Sequence, residues 1–150
     1  IDASKTMHQC AFITTPLNST ISKWQIKVIK VQKWIGIGVA EQSVVKGNNF
    51  KRVTEKPNIN HGLTILTNTG ACFNTNLSRE NDKNIQKKFE DGDILTMTYN
   101  CYTNLLSFDI KDWKFIMHQV NSEKGEFVPC VVFESAGDEV KIESVTRSYV

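Results

Sequence analysis

Short β-strand patterns follow one another along most of this chain, and they constrain its fold more than any other feature. In residues 23–28 apolar side chains alternate with polar ones, as they do in a strand with one buried face. Residues 34–40 are almost entirely apolar and include Gly36 and Gly38, a composition typical of a strand buried on both faces. Helical periodicity is brief and confined to residues 80–89. About ten strand segments separated by turn residues predict an all-β sandwich or barrel.

Two long polar segments interrupt the strand patterns. Residues 41–60 are basic and rich in turn-forming residues, which predicts a long loop of the kind that often carries function. Residues 76–88 are predicted to form a second exposed connection. Pro129 falls inside a strand pattern, which predicts either an edge strand or the first paired residue of that strand. The remaining strand patterns are residues 63–66, 71–73, 94–99, 105–110, 113–117, 127–133 and 139–145.

The size and composition of the chain fit a single globular domain. It has 150 residues, of which 40% are hydrophobic, and a net charge of only +2. No apolar run approaches the roughly 18 residues that cross a bilayer, so we expect no membrane partner. The chain begins with Ile1 and not with Met, and residues 1–9 contain no apolar signal segment. We therefore expect one domain over residues 1–150, with its core within residues 10–145, excised from a longer protein.

The cysteine pattern favours a reducing compartment. No two of the four cysteines are close in the sequence, and a core of this size needs no covalent cross-link. Buried free thiols are therefore the favoured interpretation, and it predicts an intracellular, cytoplasmic protein. A disulfide framework stays open as the alternative. The cysteines are Cys10, Cys72, Cys101 and Cys130.

No residue pattern typical of a catalytic site is present, so we expect no enzymatic activity. The sharpest candidate is the segment that contains Glu139, Lys141 and Glu143, whose side chains share one face of a strand. Two carboxylates placed in this way can act on a glycosidic bond. The cation between them opposes the raised pKa that a general acid needs, so a solvated strand face is the favoured interpretation.

Metals, cofactors and nucleic acids are not expected partners. His8, His61 and His118 stand in none of the paired spacings, with each other or with the cysteines, that zinc sites use. Neither a phosphate-binding loop nor a nucleophile elbow occurs in the sequence. A basic edge could form, but no aromatic residues suited to stacking on bases accompany it. Its lysines are Lys23, Lys27, Lys30 and Lys33.

Several small motifs stand in a characteristic order along the chain. They are Trp24 with Ile26 and Val28, the run 35–40, Gly62, Gly70 with Phe73, the segment 89–93, the segment 105–108, and the segment 127–129 with Gly137 and Val140. Together they resemble the SPRY domain, a β-sandwich interaction module found in ubiquitin-ligase receptors, tripartite-motif proteins, Ran-binding scaffold proteins, histone-methyltransferase subunits and ryanodine receptors. The resemblance implies a two-sheet antiparallel β-sandwich of the concanavalin A-like jelly-roll type. It also implies a non-catalytic adaptor or scaffold role in binding other proteins.

Three features depart from the family pattern. Many members have Leu-Asp and a glycine in the hairpin before Leu-Ser-Phe, whereas Asn104 is the candidate for the left-handed residue here. Residues 134–136 lack the aromatic residue and glycine found in members that bind short acidic-polar peptides, so that preference is not transferred. The PRY segment of the tripartite-motif proteins is not recognisable in residues 1–22.

Loops at one end of the sandwich are expected to form a shallow, pre-organised site for a partner peptide or protein surface. The family geometry implies that three loop segments cluster there. Phe50 is the candidate apolar anchor, and its alternative role is that of a loop residue packed onto the sandwich. Lys51 and Arg52 favour an acidic partner segment. The predicted partner-binding residues are Thr15, Pro16, Asn18, Asn48, Asn49, Phe50, Lys51, Arg52, Glu134 and Ser135.

Two other classes of function stay open. A carbohydrate-binding or glycosidase-like sandwich would need Glu139 and Glu143 exposed in a concave groove with aromatic residues beside them. A fixed structural subunit of a larger assembly would instead copurify with its neighbour in constant stoichiometry. Because a fold does not determine a function, neither the partner nor the pathway follows from the sequence.

Overall fold

Two antiparallel β-sheets packed face to face make up the fold. The computed structural model describes residues 9–13, 17, 21–47, 59–122 and 127–148. One sheet has the strand order β1-β10-β3-β4-β5-β6 and the other has the order β11-β2-β7-β8-β9. The predicted all-β, two-sheet sandwich is therefore confirmed. The strands are β1 (Gln9–Phe12), β2 (Ile21–Lys30), β3 (Ile35–Glu41), β4 (Leu63–Thr67), β5 (Ala71–Asn74), β6 (Lys83–Asn84), β7 (Ile94–Asn100), β8 (Leu105–Ile110), β9 (Trp113–Met117), β10 (Phe127–Phe133) and β11 (Glu139–Ser148).

The main core lies between the two sheets and follows the predicted alternation. In β2, Trp24, Ile26 and Val28 are buried, whereas Lys23 and Lys30 are exposed. Each large apolar side chain contributes roughly 1.5–3 kcal/mol by leaving water, and a slip of one residue would turn all three outward. The alternation therefore fixes the register of the strand. Both sheets supply the rest of this core, which includes Ile35, Ile37, Val39, Leu95, Met97, Leu106 and Phe108.

A second, smaller core explains why the patterns of β3 and β10 are apolar without alternation. Cys130 and Val132 belong to this cluster, whereas the intervening Val131 belongs to the main core, so β10 is buried on both faces. A short helix, α1 (Gln42–Gly47), adds Val45 to the second cluster. The prediction of a continuous loop over residues 41–60 is therefore wrong at α1, because an apolar side chain of this polar segment packs against the sheet.

Pro129 is the third residue of an interior strand, so both predicted alternatives, an edge strand and the first paired residue of the strand, are wrong. β10 pairs with β1 on one side and with β3 on the other. The β1 ladder ends at the pair Phe12–Cys130, and Ile13 then donates its N–H to the Pro129 carbonyl at 3.0 Å. In an antiparallel pair the N–H and C=O of one residue face the same neighbour, so the N–H that proline lacks would point at the end of this ladder. The sheet loses one terminal bond and is not interrupted.

The turns contain one confirmed prediction and two elements that were not predicted. Asn104 has a φ of 56°, which is the left-handed conformation expected for it. The segment 76–88, which was predicted to be a second exposed connection, contains a 3-10 helix at Ser78–Glu80 and the two-residue strand β6. β6 pairs with β5 and so extends the six-stranded sheet by one short strand.

All four cysteines are free thiols in the structure. Burial raises the pKa of the Cys72 thiol to about 11. Burial and the neighbouring Cys10 thiol also raise the pKa of Cys130. Because the thiolate is the reactive form, both buried cysteines are poor nucleophiles at neutral pH and serve as apolar packing residues.

Candidate functional site

The structure describes two of the ten predicted partner-binding residues, Glu134 and Ser135. Both lie in the connection between β10 and β11 and are partly exposed. The other eight predicted residues lie outside the described part of the chain. They are Thr15, Pro16, Asn18, Asn48, Asn49, Phe50, Lys51 and Arg52.

Strand register separates Glu134 and Ser135 from the points where the other two predicted segments begin. β3 ends at Glu41, opposite Phe127 at the start of β10, and Leu17 donates its N–H to the Phe127 carbonyl at 2.8 Å. Glu134 follows Phe133 at the other end of β10. Six residue steps along a strand span roughly 20 Å. The expectation that the three segments cluster stays a prediction, because residues 14–16, 18 and 48–52 lie outside the described part of the chain.

In the described part of the chain, Ser135 belongs to a group of loops that we call the loop end and define as residues 31–34, 68, 89–91 and 134–138. Asp138 accepts two backbone bonds here, from the N–H of Gln32 at 2.7 Å and from the N–H of Ser135 at 2.9 Å. The Ser135 hydroxyl donates to Gln32 Oε1 at 2.7 Å. A Cβ at Gly137 would lie 2.4 Å from the Gln32 side chain, so this residue allows a close approach. These contacts join the β2–β3 and β10–β11 connections.

Two further side chains fix the β2–β3 connection from other directions. Asp91 Oδ1 accepts the N–H of Val31 at 2.8 Å, and Asn68 Oδ1 accepts the N–H of Ile35 at 3.0 Å. Three side chains from three separate segments therefore accept two backbone N–H groups of this connection and that of Ile35, the first residue of β3. Short polar side chains commonly hold loops by accepting backbone N–H groups. The loop end thus has a defined shape without any bound molecule.

An open depression of about 430 Å³ lies on the loop end. Its volume falls within the range of roughly 300–1,000 Å³ that is usual for ligand sites. Lys33 and Glu90 give it an exposed cation and an exposed carboxylate, and Phe89 is buried beneath it. Such a surface suits a few polar contacts with a peptide or protein segment. The lining residues are Val31, Gln32, Lys33, Asn68, Phe89, Glu90 and Asp91.

The described residues offer no constellation for covalent catalysis at the loop end. The Ser135 hydroxyl donates to an amide oxygen, which is not a general base, so the serine is not activated. Among the same described residues, no group of three His, Cys, Asp or Glu side chains could hold a metal ion. In that part of the chain no helix is long and apolar enough to cross a membrane.

The carboxylates of β11 do not form the groove that a glycosidase-like site would need. Glu139 pairs across the sheet with Lys30, and Glu143 lies 3.9 Å from the Lys141 ammonium. The groove beside β11 is lined by Lys141 and apolar residues, and its lining includes neither Glu139 nor Glu143.

Four residues that organise the loop end were not predicted as site residues. Asp91 and Asp138 each stand next to a glycine, and Asn68 lies in a turn-rich segment, so turn chemistry was the available signal. That signal identifies a turn but not the distant backbone group that a side chain will bind. Gln32 carries no local signal, because its contacts with Ser135 and Asp138 join positions about a hundred residues apart.

Comparisons with known proteins bear on the fold. No protein-family model matches the chain, and no curated protein matches it in sequence. The crystal structure of the SPRY domain of human HERC1 superposes with a TM-score of 0.65 at 17% sequence identity. The superposition covers 90% of this chain and 81% of that one. At this identity the likeness concerns architecture, and it agrees with the motif order in the sequence. The chain therefore has the fold of a SPRY domain.

Proposed function

We propose that this chain is a non-catalytic protein-interaction module that binds a partner peptide or protein surface at its loop end. The SPRY-like fold supports a role in recognition, since the resemblance is to a family of interaction modules. The described residues add a polar, open and charged depression, which fits a segment of protein better than an enclosed small molecule.

The observation that carries the proposal is the fixed geometry of the β2–β3 connection. Asp138, Asp91 and Asn68 reach it from three segments and accept its backbone N–H groups. A surface that is already ordered loses little conformational entropy on binding, so more of the contact energy appears as affinity.

The segments that contain residues 14–18 and 48–52 enter the proposal as a second contact surface. The strands that lead into them end near Phe127, away from the loop end. Lys51 and Arg52 would favour an acidic stretch of the partner and speed its encounter. Phe50 would be the apolar anchor of this second surface.

A quantitative affinity capture from native lysate tests the proposal. The wild-type domain is compared with the variant Lys33→Ala/Glu90→Ala, which removes one exposed cation and one exposed anion from the loop end. The matched control is Asp109→Ala/Lys114→Ala, which makes the same charge change on facing residues of β8 and β9. The variant Asn49→Ala/Phe50→Ala/Lys51→Ala tests the second surface. Thermal melts first establish that all variants fold.

We expect specific proteins to be captured by wild type and by the β8–β9 control and to be lost with the loop-end variant. Loss only with the triple variant would place the site on the second surface and overturn the loop-end assignment. Capture that is equal for all variants would contradict both sites. Captured proteins in constant stoichiometry with every variant would favour a fixed subunit of an assembly.

A further inference from the structure

The two sheets leave an apolar groove open along one side of the sandwich. β1 and β11 are the outer strands of their sheets, and the groove of about 420 Å³ lies between them. It is distinct from the loop end, with which it shares no lining residue. Its apolar lining includes Ala11, Ile26, Val131, Phe133, Val140 and Ile142.

Two apolar residues of β11 are exposed although they belong to the inward face of their sheet. Ile142 pairs with the buried Ile26 and is 50% exposed, and Val145 pairs with the buried Trp24 and is 43% exposed. Residues that pair directly in an antiparallel ladder point to the same side. Both side chains therefore point to the inward side of the sheet, and Ile142 lines the groove there.

The backbone of β11 limits how a partner can pair with this edge. β11 pairs with β2 on one side, and no described strand pairs with its other side. Its register is irregular between Glu139 and Val140 and again between Ile142 and Ser144. Regular pairing therefore covers residues 140–142 and, beyond the second irregularity, residues 144–148. The stretch 140–142 lines the groove, and there an added strand would match β11 over three residues, as in the binding of an extended peptide to a sheet edge.

The outward face of this short stretch carries excess positive charge. Lys141 lies directly opposite Lys27, and like charges at paired positions of a sheet repel each other. Glu143 is 3.9 Å from Lys141 and offsets one of the two charges. A lysine and a bulge also protect edge strands from unwanted pairing, but that role does not account for the exposed Ile142 and Val145.

We propose that this edge binds an extended partner segment with an apolar–acidic–apolar sequence. Its acidic side chain lies beside Lys141 on the outward face, and its two apolar side chains enter the groove over Val140 and Ile142. The alternation of strand side chains requires this order, because neighbouring residues point to opposite faces. Because this surface is separate from the loop end, the proposal is tested independently of the proposed function.

A charge-swap titration tests the proposal. A fluorescein-labelled Thr-Val-Glu-Val-Thr peptide is titrated with the full chain by fluorescence polarisation, with protein up to about 1 mM, the weak limit of useful affinities. The comparison peptides are Thr-Val-Lys-Val-Thr and Thr-Ser-Glu-Ser-Thr. The protein variants are Lys141→Glu and Ile142→Ser, both at exposed positions. Ile116→Ser is the matched control, since Ile116 is exposed on β9 at the opposite edge of the same sheet.

We expect the Val-Glu-Val peptide to bind wild type and the Ile116→Ser control equally, and to bind Ile142→Ser about tenfold more weakly. Lys141→Glu should lose the Val-Glu-Val peptide and gain the Val-Lys-Val peptide. The Lys33→Ala/Glu90→Ala variant should bind as wild type does, which separates this surface from the loop end.

Three results would overturn the proposal. The first is the absence of saturable binding of the Val-Glu-Val peptide. The second is an affinity for this peptide that Lys141→Glu does not change. The third is evidence for a different occupant of the groove. Self-association abolished by Ile142→Ser would identify a second copy of the chain. Peptide binding that appears only after removal of residues 1–8 would identify the chain's own N-terminal segment.

Discussion

Replacing Gly38 with alanine tests whether β3 and β4 approach each other as closely as the structure indicates. A Cβ at position 38 would lie 2.1 Å from the Thr64 carbonyl oxygen and 2.9 Å from the Ile65 Cα. Ordinary contacts begin at 3.4 Å, so the oxygen would have to move by 3.4 − 2.1 = 1.3 Å. Both atoms belong to the backbone of β4, which pairs with β3 on either side of this point. No side-chain rotation can therefore relieve the overlap.

We expect Gly38→Ala to lower the free energy of unfolding by about 3 kcal/mol or more, at or above the upper end for overpacked cores. That loss is a large part of the roughly 5–15 kcal/mol that stabilises a typical domain. Gly36→Ala is the matched control on the same face of β3. Its Cβ would lie 2.6 Å from Ile65 Cδ1, the movable end of a side chain, so we expect a loss of about 1 kcal/mol. Gly47→Ala meets no atom within 4 Å and should change stability by less than about 0.5 kcal/mol.

Urea unfolding followed by tryptophan fluorescence measures these differences, provided that the denaturant slopes of the variants agree. Circular dichroism without urea reveals whether Gly38→Ala folds. If the variant is unfolded, the substitution costs more than the entire free energy of unfolding of the wild type. Losses for Gly38→Ala and Gly36→Ala that agree within about 0.5 kcal/mol would refute the reasoning, because they would mean that β4 can move away at little cost.

Three further predictions concern buried polar contacts. Burial lowers the pKa of His61, so as pH falls the unfolded chain binds a proton before the folded chain does, and stability should decrease below about pH 6.5. Urea midpoints measured at several pH values should therefore fall more steeply with decreasing pH for wild type than for His61→Gln. An equal pH dependence of the two midpoints would contradict this. Tyr99→Phe removes a bond of 2.9 Å to the buried Val120 carbonyl and should cost about 1–3 kcal/mol by urea unfolding, whereas Tyr102→Phe, at an exposed tyrosine, should cost less than about 0.5 kcal/mol. Asp138→Ala frees two backbone donors and should increase hydrogen exchange at Gln32 and Ser135, and unchanged exchange would show that Asp138 does not hold the loop end.

Much of the fold could be predicted because β-sandwich strands alternate with a period of two. The pattern around Trp24, Ile26 and Val28 identifies a strand and its buried face without any tertiary information. The motif order then favoured the SPRY-like arrangement that the structure has. Asn104 was predictable for a local reason, since asparagine is among the few residues that adopt the left-handed conformation readily.

The errors in the fold come from tertiary contacts that local patterns do not encode. The missing N–H of Pro129 matters only where a neighbouring strand would accept it. The ladder of β1 ends beside Pro129, and this end point is not visible in the local sequence. Val45 resembles a loop residue until the second core is known, since only that cluster gives the short helix an apolar surface to cover. Such contacts join residues that are far apart in sequence.

The candidate site was the least predictable part of the chain. Ser135 lies in the predicted exposed connection, and its hydrogen-bond partners there include Gln32 and Asp138. Which loops share an end of a sandwich depends on strand direction and order, and both follow from the sheet topology. The assignment of the remaining predicted residues stays a prediction.

Site-specific photo-crosslinking tests most directly the claim that the loop end binds a partner protein. A benzophenone amino acid replaces exposed Lys33 in one variant and exposed Lys114, on the outer face of the five-stranded sheet, in the other. Both variants are irradiated in native lysate, and the products are identified by mass spectrometry. The account predicts a discrete crosslinked protein from position 33 that is absent or much weaker from position 114. Equal products from both positions, or none from position 33 while affinity capture still recovers partners, would contradict it.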